Sequence, residues 1–275
     1  MDNRTAEQIK QHYEIEKGLA ERLRSASKHE RANMATCLYD ELYRRVPLHP
    51  QHTKKNSAEY AKRSVDIQMK FLRPFLNNCR TFLEVGPGDC AISLEVSKLV
   101  DVVYAVDVSS EITKLNVVPE NFHFLLSDGC SVPLAGESVN VAYSNQLMEH
   151  LHPDDAVEQL RNIYDVLVPG GLYLCVTPSR LTGPHDISKY FDEVATGFHL
   201  KEYSISELHR LFQDVGFSKV RAYVGLLGVY MPFPLSLLSL FEKFVLKFPA
   251  KFRKKVACSL PLRVFLNMIR LAGVK

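Results

Sequence analysis

Five short apolar runs constrain the fold of this 275-residue chain more than any other feature. They read TFLEV, VVYAV, FHFLL, VNVAYS and LYLCVT, and they begin at about Thr81. Helical stretches such as DCAISLEVSKLV and PDDAVEQLRNIYDVL lie between them. Short buried strands that alternate with helices are typical of βαβ units. The sequence therefore predicts an α/β fold with a doubly wound, mostly parallel sheet.

The chain divides into three predicted parts around this core. Residues 1–78 show helical periodicity, with a later helix from about Ser57 to Leu72, and are predicted to form an N-terminal helical cap. Residues 79–224 hold the strands and form the predicted core. Residues 225–275 are apolar and basic, and we expect a C-terminal helical lid or a membrane-contacting segment there.

Composition excludes several classes of function. The 34 Lys and Arg against 31 Asp and Glu give a net charge of only +3, so no nucleic-acid partner is expected. The six cysteines include no close pair, which argues against a disulfide framework and a zinc site. The polar N-terminus lacks a secretory signal, and we expect a cytoplasmic protein, peripheral at the membrane if the C-terminal segment contacts lipid.

A glycine loop follows the first predicted strand. Gly86 and Gly88 carry no Cβ, so the backbone can turn sharply there and approach a ligand closely. The helix that follows begins with free N–H groups. The loop also fits the dinucleotide pattern Gly86-x-Gly88-x-x-Ala91. Alone it leaves open a nucleotide cofactor or a tight turn without a ligand.

Acidic residues at strand ends narrow this choice. Asp107 ends the second strand, where a carboxylate can accept hydrogen bonds from both ribose hydroxyls of an adenosine. Asp128 follows the third strand, where it could accept a hydrogen bond from an adenine amino group. Glu84 would repel a pyrophosphate but attract the ammonium and sulfonium groups of S-adenosylmethionine (SAM). Glu84 and Pro87 therefore favour SAM over NAD.

These motifs resemble those of class I SAM-dependent methyltransferases over roughly residues 80–224. The segment from Ala142 to Leu151 is similar to their fourth-strand segment. The resemblance implies a Rossmann-like, seven-stranded sheet and SAM as cofactor. Cys90 and Asn140 depart from the family pattern without removing a ligand group. The cofactor residues that the resemblance implies are Glu84, Gly86, Pro87, Gly88, Asp107, Val108, Asp128, Gly129, Ser144, Asn145 and Gln146, the last three at the methionine end.

A long connection, residues 177–204, follows the fifth predicted strand, and long loops over strand ends are usually functional. Its strings GPHD and GFHLKEYS resemble a subset of small-molecule methyltransferases that act on sugars or biosynthetic intermediates, and the domain as a whole resembles the ubiquinone-biosynthesis-like members of the family. His185 and His199 are candidate general bases, although each could instead bond only loop backbone. His150 could also reach the acceptor, but in the resembled family it is more often part of the cofactor wall. His150 and His152 lack further clustered ligands, so no metal site is predicted.

The C-terminal segment contains nine Lys and Arg and one acid, Glu242. Glycines and prolines interrupt its uncharged stretch, residues 224–241, which argues against a membrane span. The pattern from Leu235 to Phe248 is amphipathic, and basic residues follow it. Two hypotheses stay open. The segment packs on the N-terminal helices and roofs the acceptor pocket, or residues 235–255 make reversible contact with a membrane surface.

The sequence thus predicts an enzyme that moves a methyl group from SAM to an O or N atom of a small-molecule acceptor. A sugar, a natural product or a lipid-linked intermediate would suit this in-line displacement. Alignment of the reactants is the main task, and a base is needed only for a protonated nucleophile. The alternatives are an NAD-dependent oxidoreductase, which Glu84 disfavours, and a non-catalytic SAM-binding partner protein.

Overall fold

The computed structural model describes residues 4–50, 58–109, 118–226 and 228–275. The helices within these ranges are α1 (Ala6–Ser25), α2 (Lys28–Arg45), α3 (Ala58–Leu72), α4 (Ala91–Val96), α5 (Pro153–Val166), α6 (Ile205–Val215), α7 (Leu235–Leu246), α8 (Ala250–Ala257) and α9 (Leu262–Leu266). The strands are β1 (Thr81–Val85), β2 (Val102–Asp107), β3 (Phe122–Leu126), β4 (Val139–Asn145), β5 (Leu167–Pro178), β6 (Lys219–Leu226), β7 (Val229–Phe233) and β8 (Met268–Val274). The predicted start of α3 at Ser57 lies outside the described residues.

The strands form one sheet in the order β3-β2-β1-β4-β5-β8-β6-β7. The first five in this order pair in parallel, and β8 runs antiparallel to both β5 and β6. The direction of winding reverses between β1 and β4, so the crevice outside their carboxyl ends is where such a fold binds ligands. The predicted α/β, Rossmann-like, mostly parallel sheet is confirmed.

The sheet takes two strands from the segment that was expected to be a lid. Strand β7 forms a hairpin with β6 at the sheet edge and makes the count eight among the described residues, where seven were expected. Pro232 is tolerated in β7 because an edge strand has N–H groups that need no partner. Strand β8 lies between β5 and β6, and its apolar run, Met268–Val274, is buried between them. The core of the molecule therefore extends well beyond residue 224.

Apolar side chains alternate between the two faces of the sheet. On β1, Leu83 belongs to a cluster with helices α5, α6 and α7, whereas Phe82 belongs to a cluster with α3 and α4. On β5, Tyr173 and Leu174 divide in the same way. This alternation is what a sheet covered by helices on both faces requires.

Helices α1 and α2 form a cap that differs in extent from the predicted one. They pack on each other through a small apolar cluster that also includes Phe198. Arg31 of α2 forms a bidentate ion pair with Asp155 of α5, with both N–O distances at 2.6 Å. Helix α3, in contrast, packs beside α4 on a sheet face. The cap therefore consists of α1 and α2, and α3 belongs to the core.

Helices α7, α8 and α9 connect β7 to β8 and pack beside α6 and β6. Leu238 and Val245 of α7 join the same apolar cluster as Leu208 and Phe212 of α6. This placement differs from the expected lid, because the contact is with the sheet layer and not with the N-terminal helices. No helix in the described ranges is long and apolar enough to cross a bilayer.

Candidate active site

The glycine loop lies at the carboxyl end of β1, as predicted. Gly86 has φ of +69°, and a Cβ there would lie 2.9 Å from Cδ1 of Leu147. Gly88 also has a positive φ, of +60°, and a Cβ there would meet no atom within 4 Å. At Gly86 the backbone thus packs closely against Leu147, whereas at Gly88 the space beside the backbone is open. Open space above a glycine is what close approach of a ligand requires.

Asp107 and Asp128 lie next to this loop on neighbouring strand ends. Asp107 is at the end of β2, and its Oδ2 accepts a long hydrogen bond of 3.4 Å from the N–H of Gly88. Oδ1 of Asp128 accepts hydrogen bonds from the N–H groups of Cys130, at 2.9 Å, and Ser131, at 2.7 Å. Burial alone would raise the pKa of Asp128, but these bonds lower it overall. The turn after β3 therefore presents an ionised carboxylate.

Glu84 lies inside β1 and is buried. Its Oε2 accepts a hydrogen bond of 2.6 Å from Oγ of Ser93. Burial raises the pKa of Glu84 to about 8, so the carboxyl group is largely neutral at pH 7. A cation bound close to it would lower that pKa. The structure thus places Glu84 next to the loop. Its raised pKa keeps the carboxyl group protonated when no cation is bound nearby.

The end of β4 separates the residues that the resemblance placed together. Ser144 is fully buried, and its Oγ lies 2.7 Å from the hydroxyl of Tyr173, so it serves the core and does not face the crevice. Asn145 is half-buried, and Gln146 is exposed with φ of +53°. At the adenine side, a Cβ on Gly129 would lie 3.3 Å from Cγ1 of Val108. Gln146 therefore faces open space at the end of β4, whereas Ser144 bonds to a core residue.

A cavity of about 810 Å³ lies beyond Gln146. Helices α1 and α2 form one side of it, and the segment from Pro178 to His199 forms the other. Of the described residues in 225–275, only Met268 lines it, so the cap takes the place expected for the C-terminal lid. Its wall is rich in rings and hydrogen-bonding groups, among them His12, Tyr39, Tyr43, His49, His150, His185 and His199. A volume of this size is typical of small-molecule sites.

His199 of the cavity wall forms a buried pair with Glu202. Nδ1 of His199 lies 2.7 Å from Oε1 of Glu202. Burial would lower the pKa of His199, but this bond and the charges of Glu149, Glu202 and Asp186 raise it overall. Glu149 is buried, accepts a hydrogen bond from Thr177 at Oε2 and has no hydrogen-bond partner for Oε1 among the described residues. Burial raises the pKa of Glu149 to about 7.

The other two predicted bases have different surroundings. Nδ1 of His150 lies 3.0 Å from the carbonyl oxygen of Phe198, which can only accept, so Nδ1 carries the proton. Burial and the charge of His199 lower the pKa of His150 to about 3. Nε2 of His185 lies 3.1 Å from the carbonyl oxygen of Ser179, and burial lowers its pKa. Both rings line the cavity, and in both burial lowers the pKa more than the hydrogen bond to a loop carbonyl oxygen raises it.

The cap contributes residues that the sequence did not single out. Glu16 of α1 is buried and accepts hydrogen bonds from Nε2 of His12, at 2.8 Å, and from the N–H of Phe198, at 2.9 Å. Two groups in this wall have side chains of the types and spacing that could ligate a cation, with ligand atoms within 4.8 Å of one another. They are His12 with Glu16 and His49, and Glu149 with His150 and His199. His152, which the sequence placed near His150, belongs to neither.

Comparisons with known proteins agree with this geometry. A methyltransferase-domain family model matches residues 83–175, which contain the glycine loop, both acids and β4. A probable SAM-dependent methyltransferase of Mycolicibacterium smegmatis is 35% identical over 86 residues. This match spans 31% of the chain and only 31% of the length of that relative. Residues 83–175 are therefore similar to the methyltransferase domains of SAM-dependent enzymes.

Solved structures extend the likeness to most of the fold. The 1,6-didemethyltoxoflavin-N1-methyltransferase of Burkholderia thailandensis has a TM-score of 0.56, 16% identity and 91% coverage of both chains. A SAM-dependent methyltransferase of Archaeoglobus fulgidus has a TM-score of 0.54 and 16% identity, covering 82% of this chain and 97% of its own. At such low identity these matches show the shared fold alone.

The edge formed by the glycine loop, Asp107 and Asp128 fits the cofactor of this family. The space over Gly88 is open, and the carboxylates of Asp107 and Asp128 lie at the neighbouring strand ends. A pyrophosphate needs cations or free N–H groups, whereas an adenosine and an ammonium group need acceptors. We call this edge the cofactor edge.

Proposed function

We propose that this protein transfers a methyl group from SAM to an O or N atom of a small-molecule acceptor held in the cavity, with His199 as the general base. The observation that carries the proposal is that His199, in the wall of a cavity that adjoins the cofactor edge, pairs at 2.7 Å with the buried carboxylate of Glu202. Gln146 lines the cavity and follows β4, so it lies where the two sites meet.

Cofactor binding would use the groups at the ends of β1, β2 and β3. Asp107 would accept hydrogen bonds from the ribose, Asp128 from the adenine amino group, and Gly86 and Gly88 would let the chain approach the methionine part. Glu84 would lose its proton when the ammonium group binds above it, since a nearby cation favours the charged carboxylate. SAM, when bound, supplies a methyl group on a positively charged sulfur.

The protein's own contribution is to hold the acceptor in line and to remove its proton. Alignment alone is worth roughly 7–11 kcal/mol in such reactions. Because Nδ1 of His199 points to Glu202, its proton stays on that side and Nε2 is the nitrogen that can accept a proton. Glu202 then stabilises the imidazolium that forms, which is the usual function of a carboxylate behind a catalytic histidine.

His199 suits this role better than the other two predicted bases. A base must gain a proton near neutral pH, and the surrounding carboxylates raise the pKa of His199. Burial instead lowers the pKa values of His150 and His185. We therefore propose that His150 and His185 bind or shape the acceptor and that His199 alone accepts its proton.

The cavity wall supports a small polar acceptor with ring or hydroxyl character. Tyrosine and histidine rings offer flat surfaces, and Glu16 and Asp186 offer hydrogen-bond acceptors. The Burkholderia protein of the same fold was solved with 1,6-didemethyltoxoflavin and S-adenosylhomocysteine bound, so this fold accepts heteroaromatic compounds. Phenols, sugars and nitrogen heterocycles are the first acceptor classes to test.

Calorimetric titration with SAM, S-adenosylhomocysteine and NAD, followed by turnover assays on these acceptor classes, tests the proposal. We expect both adenosyl compounds to bind, NAD not to bind, and S-adenosylhomocysteine to accumulate only with an acceptor. Binding of NAD alone would replace the proposal with an oxidoreductase. Binding of SAM without turnover on any acceptor class, and without a difference between the parent and His199→Ala, would favour a non-catalytic SAM-binding protein.

A further inference from the structure

Helix α7 exposes an apolar stripe on the side away from the sheet. Leu237, Leu240 and Phe244 are 42%, 57% and 46% exposed, and they recur at three- and four-residue steps. The residues that pack on the core are instead Leu238, Glu242 and Val245. The exposed stripe is thus a second apolar face, which the fold itself does not use.

Basic side chains border this stripe. Lys243 of α7 and Lys247, which caps its C-terminus, are exposed beside it on the same side. Helix α8 follows at once, and its Arg253, Lys254 and Lys255 are exposed together with Phe252, which is 55% exposed. We call this surface the α7–α8 face: Leu237, Leu240, Lys243, Phe244, Lys247, Phe252, Arg253, Lys254 and Lys255.

Acidic residues are absent from the α7–α8 face. Glu242 is the one acid in residues 225–275, and it is buried on the opposite side of α7. Its Oε2 accepts hydrogen bonds from the N–H and from Oγ of Ser206, both at 3.1 Å. The charged side chains of the α7–α8 face are therefore all positive, which would repel a second copy of the same face.

We propose that the α7–α8 face docks on an anionic phospholipid bilayer, with α7 lying in the plane of the interface. An apolar stripe bordered by Lys and Arg fits such a surface, because the stripe enters the acyl boundary while the cations reach the headgroups. Negative lipid charge complements a face that holds five described cations and no acid. The geometry gives a surface contact and not a span, since α7 has only 12 residues.

The docked face would lie close to the cavity. Burial lowers the pKa of His185 in the cavity wall, and the charge of Lys254 adds to that lowering, which places Lys254 within electrostatic reach of the wall. Thr182, three residues before His185, donates a hydrogen bond of 3.5 Å to the carbonyl oxygen of Asn267, just after α9. Docking through α7 and α8 would thus bring the 178–199 side of the cavity toward the lipid headgroups.

Co-sedimentation of the intact chain with vesicles tests this proposal without an activity assay. We expect binding to phosphatidylcholine vesicles that contain phosphatidylserine, and weak binding to phosphatidylcholine alone. Salt of roughly 1 M, which shortens the Debye length to about 3 Å, should remove most of the binding. Each basic residue near an anionic surface is worth about fivefold in partition. The triple variant Arg253→Ser, Lys254→Ser, Lys255→Ser should therefore lose about a hundredfold.

Two further variants complete the test. The first measures the contribution of the apolar stripe, and the second is a control for loss of positive charge elsewhere on the surface. Leu240→Ser with Phe244→Ser removes exposed apolar groups and should weaken binding at least tenfold with little effect on folding. Lys62→Ser, Arg63→Ser and Lys70→Ser remove three exposed cations from α3 and should bind like the parent chain. Equal binding to both vesicle types, no binding at low salt, or an equal loss in the α3 control would overturn the proposal.

Discussion

The cofactor edge and the acceptor cavity are built from the chain in opposite ways. Every cofactor-edge residue from Glu84 to Gly129 comes from one continuous stretch, and each lies at or next to a strand end. The cavity instead joins distant segments. Tyr13 donates a hydrogen bond of 2.8 Å to Asp192, Glu16 accepts one from Phe198, and the hydroxyl of Tyr39 lies 3.0 Å from Nδ1 of His150.

This difference shows that the geometry of the cofactor edge depends on one short stretch of the chain, whereas the geometry of the cavity depends on how the cap docks. Parallel strands bring their carboxyl ends to one edge whatever the cap does. The cavity exists only where α1 and α2 meet the segment from Pro178 to His199. Substitutions on one side should therefore leave the other side's function intact, and the following predictions test that separation.

The largest expected effect is on turnover. His199→Ala should lower kcat by about 10²–10⁴-fold, because it removes the group that accepts the acceptor's proton. Binding of S-adenosylhomocysteine, measured by calorimetry, should stay at the parent value. Chelation of metal ions with EDTA should leave the parent's kcat unchanged. A loss of activity on chelation would instead assign Glu149, His150 and His199 to a metal site.

The next effect is on cofactor affinity. Asp107→Ala should weaken binding of S-adenosylhomocysteine by about 10³-fold, since two hydrogen bonds to a carboxylate are each worth about 2 kcal/mol. Asp101→Ala is the matched control, because Asp101 pairs with Arg80 near the opposite end of the strands at 2.9 Å. An Asp107→Ala chain that binds as tightly as the control would remove the ribose role from Asp107.

The cofactor edge could be predicted from the sequence because the residues that mark it lie close together along the chain. Glycines that need positive φ, and acids at the ends of apolar runs, can be recognised within a few residues of one another. Ser144 was misplaced because alternation along β4 sends its side chain to Tyr173 in the core, and strand phase cannot be fixed from a run buried on both faces.

The cavity and the C-terminal strands were harder to predict for another physical reason. Their signals depend on partners that are far away in sequence. His199 and Glu202 are three residues apart in the sequence, yet only the fold shows that their side chains pair and that His199 lines the cavity. Strand β8 has an ordinary apolar run, and its place between β5 and β6 is set by tertiary pairing.

A smaller effect concerns pH. Glu202 and the neighbouring carboxylates raise the pKa of His199 above 6.5, so the ring is protonated and inactive as a base below that pKa. We expect kcat/KM to fall about tenfold per pH unit on this acid side. Glu202→Gln keeps an oxygen for Nδ1–H but removes the charge. The acid limb should therefore move to lower pH, and an unmoved limb would show that another group titrates.

The smallest effect is on cap docking. Tyr13→Phe removes a hydrogen bond to the Asp192 carboxylate and should lower the free energy of unfolding by about 1 kcal/mol, or the Tm by about 2–4 °C. Tyr104→Phe on β2 removes a hydroxyl with no hydrogen-bond partner among the described residues. This control should change neither the free energy of unfolding nor the Tm. If the two regions are separate, Tyr13→Phe raises the KM of the acceptor while the Kd of S-adenosylhomocysteine stays constant. A matching rise in both constants would show that the cap also stabilises the cofactor edge, because linkage between sites requires a shared element whose equilibrium both ligands shift.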